Sequence, residues 1–214
     1  MTLYKRRERF EHLSIKIGIA FSKAGLSPNQ WTAISIIPVL IAFYFLTQAN
    51  FLAAALFFII SSFLDLVDGS VARVTGRVSR LGAYLDTVVD RYIEFIIILG
   101  LLFVFLPKPD FPVIKDIPMA AWIFLYLFGG MMTTYVKAAA REKGILESGE
   151  LKGGLLERAE RLVILFIGIL FAAVTPVILS YIIILLAILT NISALQRMNI
   201  AIGLQKKAVE TKKG

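Results

Sequence analysis

The chain has no cysteine among its 214 residues and a single histidine, His12. The first absence removes disulfide scaffolds, thiolate metal sites and cysteine nucleophiles. The second removes any histidine-based metal cluster. Charge is also scarce. Asp, Glu, Lys and Arg make up 18% of the chain, against about a quarter in ordinary soluble domains. Hydrophobic residues reach 58% and mean hydropathy is +0.79. These values exclude disorder, coiled coil and collagen. The charge that remains is unbalanced, 23 Lys and Arg against 15 Asp and Glu, a net +8. In a soluble chain that balance points to nucleic acid. In one this apolar it points to the anionic surface of a membrane, and no nucleic-acid partner is expected.

A membrane-spanning helix needs about 20 mostly apolar residues. Six stretches qualify as candidates: 31–47, 51–70, 81–106, 118–137, 162–175 and 176–194. The fifth is short. Pro176, directly after Thr175, opens the sixth and makes a helical hairpin of the two. Ala49-Asn50 marks a similarly tight turn. The expected class is an all-α integral membrane protein with six transmembrane helices. Lys5–Ala24 mixes Phe10, Leu13, Ile17, Ile19 and Phe21 with Arg6, Arg9, Glu11, Lys16 and Lys23. This predicts an N-terminal amphipathic helix lying in the interface, with His12 as a surface residue. The N-terminus lacks the short apolar run and small-residue cleavage site of a signal peptide.

Loop charge sets orientation. Residues 1–30 carry six Lys and Arg, Arg73–Arg80 three, Lys137–Arg161 six, and Arg197 to the end five. The opposite side has Lys108 and Lys115. Both termini are therefore expected in the cytoplasm, which six spans satisfy and five do not. The expected layout is an interfacial segment over 1–30, a catalytic membrane domain over 31–200 and a basic cytoplasmic tail over 201–214.

Carboxylates inside a bilayer are costly and are functional by default. Two adjacent expected spans carry Asp65, Asp68, Asp86 and Asp90, with Glu94 one turn later. Asp65, Asp68, Gly69, Ala72 and Arg73 fall at i, i+3, i+4, i+7 and i+8, one stripe of a helix. Gly82, Asp86 and Asp90 repeat at i, i+4 and i+8. Facing stripes would gather four carboxylates at the cytoplasmic end, beside the basic loop 74–80. Four anions in low dielectric need cations, and all-oxygen ligands suit Mg²⁺ or Mn²⁺. Gly69 and Ala72 leave that face open to a close ligand, and Arg73 offers a fork suited to phosphate. Two alternatives are structural ion pairs with Arg73, Arg77, Arg80 and Arg91, and an ion path of a cation transporter. A transporter would spread its acids through the bilayer depth, whereas these gather at one end.

The string Asp65-Leu-Val-Asp68-Gly69-Ser-Val-Ala72-Arg73, then eight residues, then Gly82-Ala-Tyr-Leu-Asp86-Thr-Val-Val-Asp90 resembles the signature of the CDP-alcohol phosphotransferase family at all eight defining positions. The resemblance implies transfer of a phosphate-bearing group from a CDP-linked alcohol to an acceptor hydroxyl, with CMP released. It implies a homodimer and two divalent ions, Mg²⁺ or Mn²⁺, held by Asp65, Asp68, Asp86 and Asp90. It makes Asp90 the general base and assigns the CDP moiety to Asp65, Gly69, Ala72, Arg73 and Gly82. An intramembrane prenyltransferase also pairs aspartates with Mg²⁺. It needs more spans and lacks the Gly69, Ala72, Arg73 pattern.

A second group lies later. Thr134 and Lys137 end the fourth expected span, Arg158 and Arg161 open the fifth, and Arg197 ends the sixth. Three cations from three helices suit a dianionic phosphate, although the placement of positive charge in cytoplasmic loops also accounts for them. Thr134-Tyr-Val-Lys137, Leu156-Glu-Arg158-Ala-Glu-Arg161 and Gln196-Arg197 resemble the inositol-phosphate-utilising branch of the family, with Thr134 where Ser is usual. The resemblance makes Thr134, Lys137, Arg158 and Arg197 the cradle of an inositol 1-phosphate acceptor. Arg161, one turn on, is expected to matter less. Abundant Ile, absent Cys and charged loops suit a thermophile, which puts CDP-archaeol first as donor and CDP-diacylglycerol second. CDP-inositol as donor and glycerol 3-phosphate as acceptor remain alternatives.

Overall fold

The computed structural model describes residues 3–110, 116–146 and 153–211, with side chains described between 12 and 206. Among the described residues eight helices follow one another: α1 Leu3–Ser22, α2 Pro28–Ile34, α3 Ile36–Thr47, α4 Phe51–Val74, α5 Arg80–Leu101, α6 Met119–Glu142, α7 Arg158–Ala172 and α8 Pro176–Thr211. The described residues contain no strand. Contacts divide the chain into two compact units, Met1–Val104 and Phe105–Gly214.

In the first unit α4 is the hub, packed against α1, α2 and α3, while α2 and α3 also meet α5. The helix starts are encoded locally. Ser27 and Gln30 form a reciprocal capping box with Pro28 in the first turn, which satisfies donors that the helix itself leaves orphaned. The expected first span is bent into α2 and α3 at Ser35. Pro38, four residues beyond Ile34, has no N–H for the Ile34 carbonyl, and its ring crowds that carbonyl. Ala49 turns the chain with φ 53°, and Asn50 Oδ1 accepts from Ala53 N at 3.2 Å to start α4. Ser79 Oγ accepts from Gly82 N at 3.0 Å to start α5.

The buried core of this unit runs through Val39, Ala42, Leu46, Ala54, Phe58, Ile97 and Leu101. A second cluster of Trp31, Val67 and Val71 is joined by Ile17 and Phe21 from α1. The N-terminal segment is helical, as α1. It crosses α4 closely at Gly18, where a Cβ would fall 2.5 Å from the Ser70 carbonyl oxygen. His12 is exposed.

In the second unit α8 is the hub, packed against α6 and α7. Tyr126, Leu165, Ile169, Leu179, Ile183 and Leu186 form its core. Gly129 lets α6 approach α8, since a Cβ there would collide with Thr190 and Asn191. The hairpin expected at Thr175-Pro176 is present, with the Thr175 and Val174 amides both donating to the Phe171 carbonyl.

Among the described residues four helices are long and apolar enough to cross a membrane: α2 with α3 as Pro28–Thr47, α4, α6, and α8 over Pro176–Lys206. They carry large exposed apolar side chains, among them Leu40, Leu52, Phe63, Phe124 and Leu185. In water these would be unfavourable, and against lipid tails they are at home. The chain is a membrane protein. The other two expected spans fall short of that measure. α5 carries Asp86, Asp90, Arg91 and Glu94, and it ends at Leu101 instead of 106. α7 has 15 residues, about 22 Å at ~1.5 Å per residue, less than the ~30 Å hydrocarbon thickness. The sixth expected span is longer than its apolar run. α8 continues past Ala194 to Thr211, so Arg197 lies inside the helix and not at its end. Residues 201–211 of the expected tail are helical.

Candidate active site

The first unit gathers three of the four aspartates. Asp65 and Asp68 from α4 and Asp86 from α5 each offer a carboxylate oxygen, and these oxygens lie within 4.8 Å of one another. Asp68 is buried, and Asp65 and Asp86 are half-buried. The chain turns after α4 at Gly76, with φ 68°, and Ser79 caps the start of α5. Asp90, one turn beyond Asp86, is also buried. It lies outside the group of three, yet its charge acts on Asp68 alongside that of Asp86. Like charges this close in a low-dielectric setting require a compensating cation. Hard carboxylate oxygens in this spacing fit Mg²⁺ or Mn²⁺. The donor set alone supports that match.

Beside the carboxylates lies a cavity of about 350 Å³. Asp68, Gly69, Ala72 and Arg73 of α4 form one wall, Gly82, Ala83 and Asp86 of α5 another, and Pro28, Asn29 and Thr32 of α2 a third. Gly69, Ala72, Arg73 and Gly82 are thus brought together as expected. Asp65 belongs to the carboxylate group and does not line the cavity. Gly82 also sets the spacing of α5 from α2, because a Cβ there would sit 3.2 Å from Asn29 Oδ1.

The guanidinium of Arg73 is exposed. Among the described residues it is held by hydroxyls, not carboxylates: Nη2 donates to Ser14 Oγ at 2.7 Å, with Ser70 Oγ at 3.4 Å. That leaves its charge available to an anion in the cavity. Arg91 instead donates to Glu94 at 2.7 Å.

Several cavity residues carry no signal in the aspartate motif. Thr32 Oγ1 donates to Asp68 Oδ2 at 2.5 Å, which fixes the rotamer of a buried carboxylate. Pro28, Asn29, Arg77, Val78 and Ser79 also line the cavity, and Ser14 of α1 accepts from Arg73 behind it. The string Ser27-Pro-Asn-Gln30 reads in sequence only as a helix start. The approach of Thr32, two residues further on, to Asp68, 36 residues away, is a tertiary fact.

The second unit holds the basic group. Arg197 is almost fully buried. Its Nε donates to the Gly153 carbonyl at 2.9 Å and its Nη1 to the Thr133 carbonyl at 2.9 Å. Its Nη2 lies 2.9 Å from Glu157 Oε1, and Lys137 Nζ is 3.6 Å from Glu157 Oε2. Lys137 and Arg197 therefore converge, around a carboxylate that the sequence pattern did not single out. Gly153 and Gly154, with φ 133° and 111°, form the turn that presents the Gly153 carbonyl. A side chain at Gly154 would press on Arg197 Nε at 3.0 Å. Arg158 follows Glu157 as the first residue of α7, half-buried, and Thr134 is half-buried on α6.

Arg161 is the residue expected to matter less for the acceptor. It is 1% exposed, the largest of the fully buried side chains, and its Nη1 donates to Thr133 Oγ1 at 2.8 Å. One turn beyond Arg158 lies the inner face of α7, where Arg161 ties α7 to α6 through Thr133.

Comparison with known proteins agrees with this geometry. The profile of the CDP-alcohol phosphatidyltransferase family matches residues 26–194, which include α2, both carboxylate helices and most of the basic group. An archaetidylinositol phosphate synthase of Pyrococcus horikoshii is 34% identical over 196 residues, covering 92% of this chain and 94% of that protein. A crystal structure of Mycobacterium tuberculosis phosphatidylinositol phosphate synthase with CDP-DAG bound superposes with TM-score 0.75 at 27% identity, over 89% of this chain and 94% of that one. A second structure of that enzyme, in complex with manganese and citrate, gives TM-score 0.74 at 26% identity over 88% of each chain. A metal-ready carboxylate group on this helical frame, with the profile matched across it, places the chain in one class of enzyme. It belongs to the CDP-alcohol phosphatidyltransferase family and is a CDP-alcohol phosphotransferase.

Proposed function

We propose that the enzyme transfers a phosphatidyl-type group from a CDP-linked lipid to inositol 1-phosphate and releases CMP. CDP-archaeol is the first choice of donor and CDP-diacylglycerol the second. The observation that carries this reading is the Asp65, Asp68, Asp86 group beside a cavity walled by Gly69, Ala72, Arg73 and Gly82. The acceptor is supported by the Lys137 and Arg197 pair and by the names of the relatives above.

In this reading Asp65, Asp68 and Asp86 hold two divalent cations, with Asp90 sharing one. Bound there, the cations would neutralise the diphosphate of the donor and polarise its phosphorus. Arg73 pairs with the donor phosphate as a fork, and Gly69, Ala72 and Gly82 admit the CDP moiety without steric bulk. Asp90 accepts the proton of the attacking hydroxyl. The acceptor oxygen forms a new bond to the lipid-bearing phosphorus, the diphosphate P–O bond breaks, and CMP leaves with that electron pair. Thr134, Lys137, Arg158 and Arg197 hold the acceptor phosphate, as charge-assisted contacts to its three oxygens.

We further assign residues 31–200 to a six-span catalytic domain, with α5 and α7 completing the spans. Residues 1–30 form an amphipathic segment in the cytoplasmic interface, and 201–214 a basic cytoplasmic tail. Loop charge supports termini and active site on the cytoplasmic side. The working form is a homodimer.

A matrix of CDP-archaeol, CDP-diacylglycerol and CDP-inositol against labelled inositol 1-phosphate, free inositol, serine and glycerol 3-phosphate, read as CMP release by the purified protein, tests the reading. Inositol 1-phosphate is the expected acceptor. Preference for any of the other three would reassign the basic group and leave the aspartate chemistry standing.

A further inference from the structure

Glu157 stands at the centre of the basic group, and its contacts are unusual for a stabilising ion pair. Its side chain is 53% exposed, while that of Arg197 is 4% exposed. Two of the three guanidinium nitrogens of Arg197 are taken by the Gly153 and Thr133 carbonyls. The third, Nη2, approaches Glu157 to 2.9 Å yet makes no aligned hydrogen bond among the described residues, although it is buried. Lys137 stands 3.6 Å away on the other carboxylate oxygen, beyond hydrogen-bond length. Glu157 thus neutralises both cations by charge and completes the hydrogen bonding of neither. A buried donor left in that state is unfavourable.

A phosphate has what this carboxylate lacks, three acceptor oxygens on a tetrahedral centre that can align on Nη2 and Nζ together. Glu157 is also placed to leave. It is half-exposed and caps the start of α7 in a box with Glu160, so rotation of its side chain into water costs the helix one cap contact and leaves the Glu157 N to Glu160 Oε2 bond in place. Arg197 cannot follow, because two backbone carbonyls hold it.

We propose that Glu157 is a placeholder anion, which occupies the acceptor-phosphate position in the free enzyme and is displaced when a phosphorylated acceptor binds. The inference rests on the acceptor reading above and adds a selection step to it. An acceptor that brings a phosphate replaces the charge it expels. An unphosphorylated polyol would strip Glu157 from two cations and leave them uncompensated, so it is rejected at entry. Glu157 is therefore a specificity residue acting through Lys137 and Arg197.

The test is isothermal titration of inositol 1-phosphate, and separately of inorganic phosphate, into the full-length protein in nanodiscs, comparing wild type with Glu157→Gln and Glu157→Asn. The Asn variant keeps a good helix N-cap while removing the charge, which guards against a folding effect in the Gln variant. Both variants are expected to bind inositol 1-phosphate and inorganic phosphate about five-fold or more tighter than wild type, with the KM for the CDP-donor unchanged. If wild type binds inositol 1-phosphate and both variants bind it equally or more weakly, Glu157 orients Arg197 and the placeholder role is overturned while the acceptor reading stands. If neither wild type nor variants bind inositol 1-phosphate, the acceptor reading fails and this inference fails with it.

Discussion

Thr32→Val removes one hydroxyl from the wall of the cavity beside the carboxylates and nothing else of similar size. Thr32 lies on α2 and is 4% exposed. Its Oγ1 donates to Asp68 Oδ2 at 2.5 Å and to the Pro28 carbonyl at 3.2 Å. A hydrogen bond to a charged group is worth roughly 1.5–3 kcal/mol. It also fixes which carboxylate oxygen Asp68 turns toward Asp65 and Asp86. Valine fills the same volume without donating, so the buried position stays filled while Asp68 loses its orienting partner. The energy corresponds to a fall of about ten- to a hundred-fold, at ~1.4 kcal/mol per factor of ten, and the same range is typical when a group behind a metal ligand is lost. The assay is CMP release against Mn²⁺ concentration. The apparent metal constant of Thr32→Val is expected to rise by that factor, while Thr32→Ser, which keeps the hydroxyl, recovers most of it. An unchanged metal dependence in Thr32→Val, in protein with wild-type thermal stability, would refute the argument that Asp68 is oriented from α2.

Asp65→Asn, Asp68→Asn and Asp86→Asn should each lower turnover by about a hundred-fold or more, a few kcal/mol of lost charge stabilisation; excess EDTA should silence the wild type and Mg²⁺ or Mn²⁺ restore it, and full activity in EDTA would exclude a metal role. Asp90→Asn should retain CDP-donor binding and lose transfer, whereas a collapse of donor affinity with turnover preserved would make it a binding residue instead of a base. Arg158→Ala should raise the acceptor KM on the order of ten-fold with little change in donor KM, from roughly 1.5–3 kcal/mol for a guanidinium-phosphate contact. Arg197→Ala should do the same and also lower the melting temperature, since it releases the Gly153 and Thr133 carbonyls. Arg161→Met should lower the melting temperature and leave substrate KM values near wild type in the protein that folds, because its contacts are to Thr133 and Gly130 inside the unit; an acceptor KM shift without a stability change would return it to the binding site.

Much of the molecule is written locally. Membrane character follows from apolar runs, and helix starts follow from Ser27-Pro28-Asn-Gln30, Asn50, Ser79 and Pro176, each of which supplies a cap or a preset backbone angle within four residues. The carboxylate site was legible because helical spacing alone puts Asp65, Asp68, Gly69, Ala72 and Arg73 on one stripe and Gly82 and Asp86 on another. A motif this dense leaves few arrangements open. What the sequence could not determine depends on contacts between residues far apart along the chain. Thr32 reaching Asp68 and Ser14 reaching Arg73 are products of how α2 and α1 lie on α4, set by shape at Gly18, Val67 and Val71. The break at Ser35 was foreshadowed by Pro38, but the lengths of α5, α7 and α8 were not, because helices end where backbone groups find other partners, not where hydrophobic runs end. The basic group shows the same division. Its members are visible as positive charges, yet charge alone does not separate Arg197, clamped by two carbonyls beside Glu157, from Arg161, buried as a strut. Packing of α7 on α8, with the Arg161 to Thr133 hydrogen bond, fixes which face of α7 turns inward.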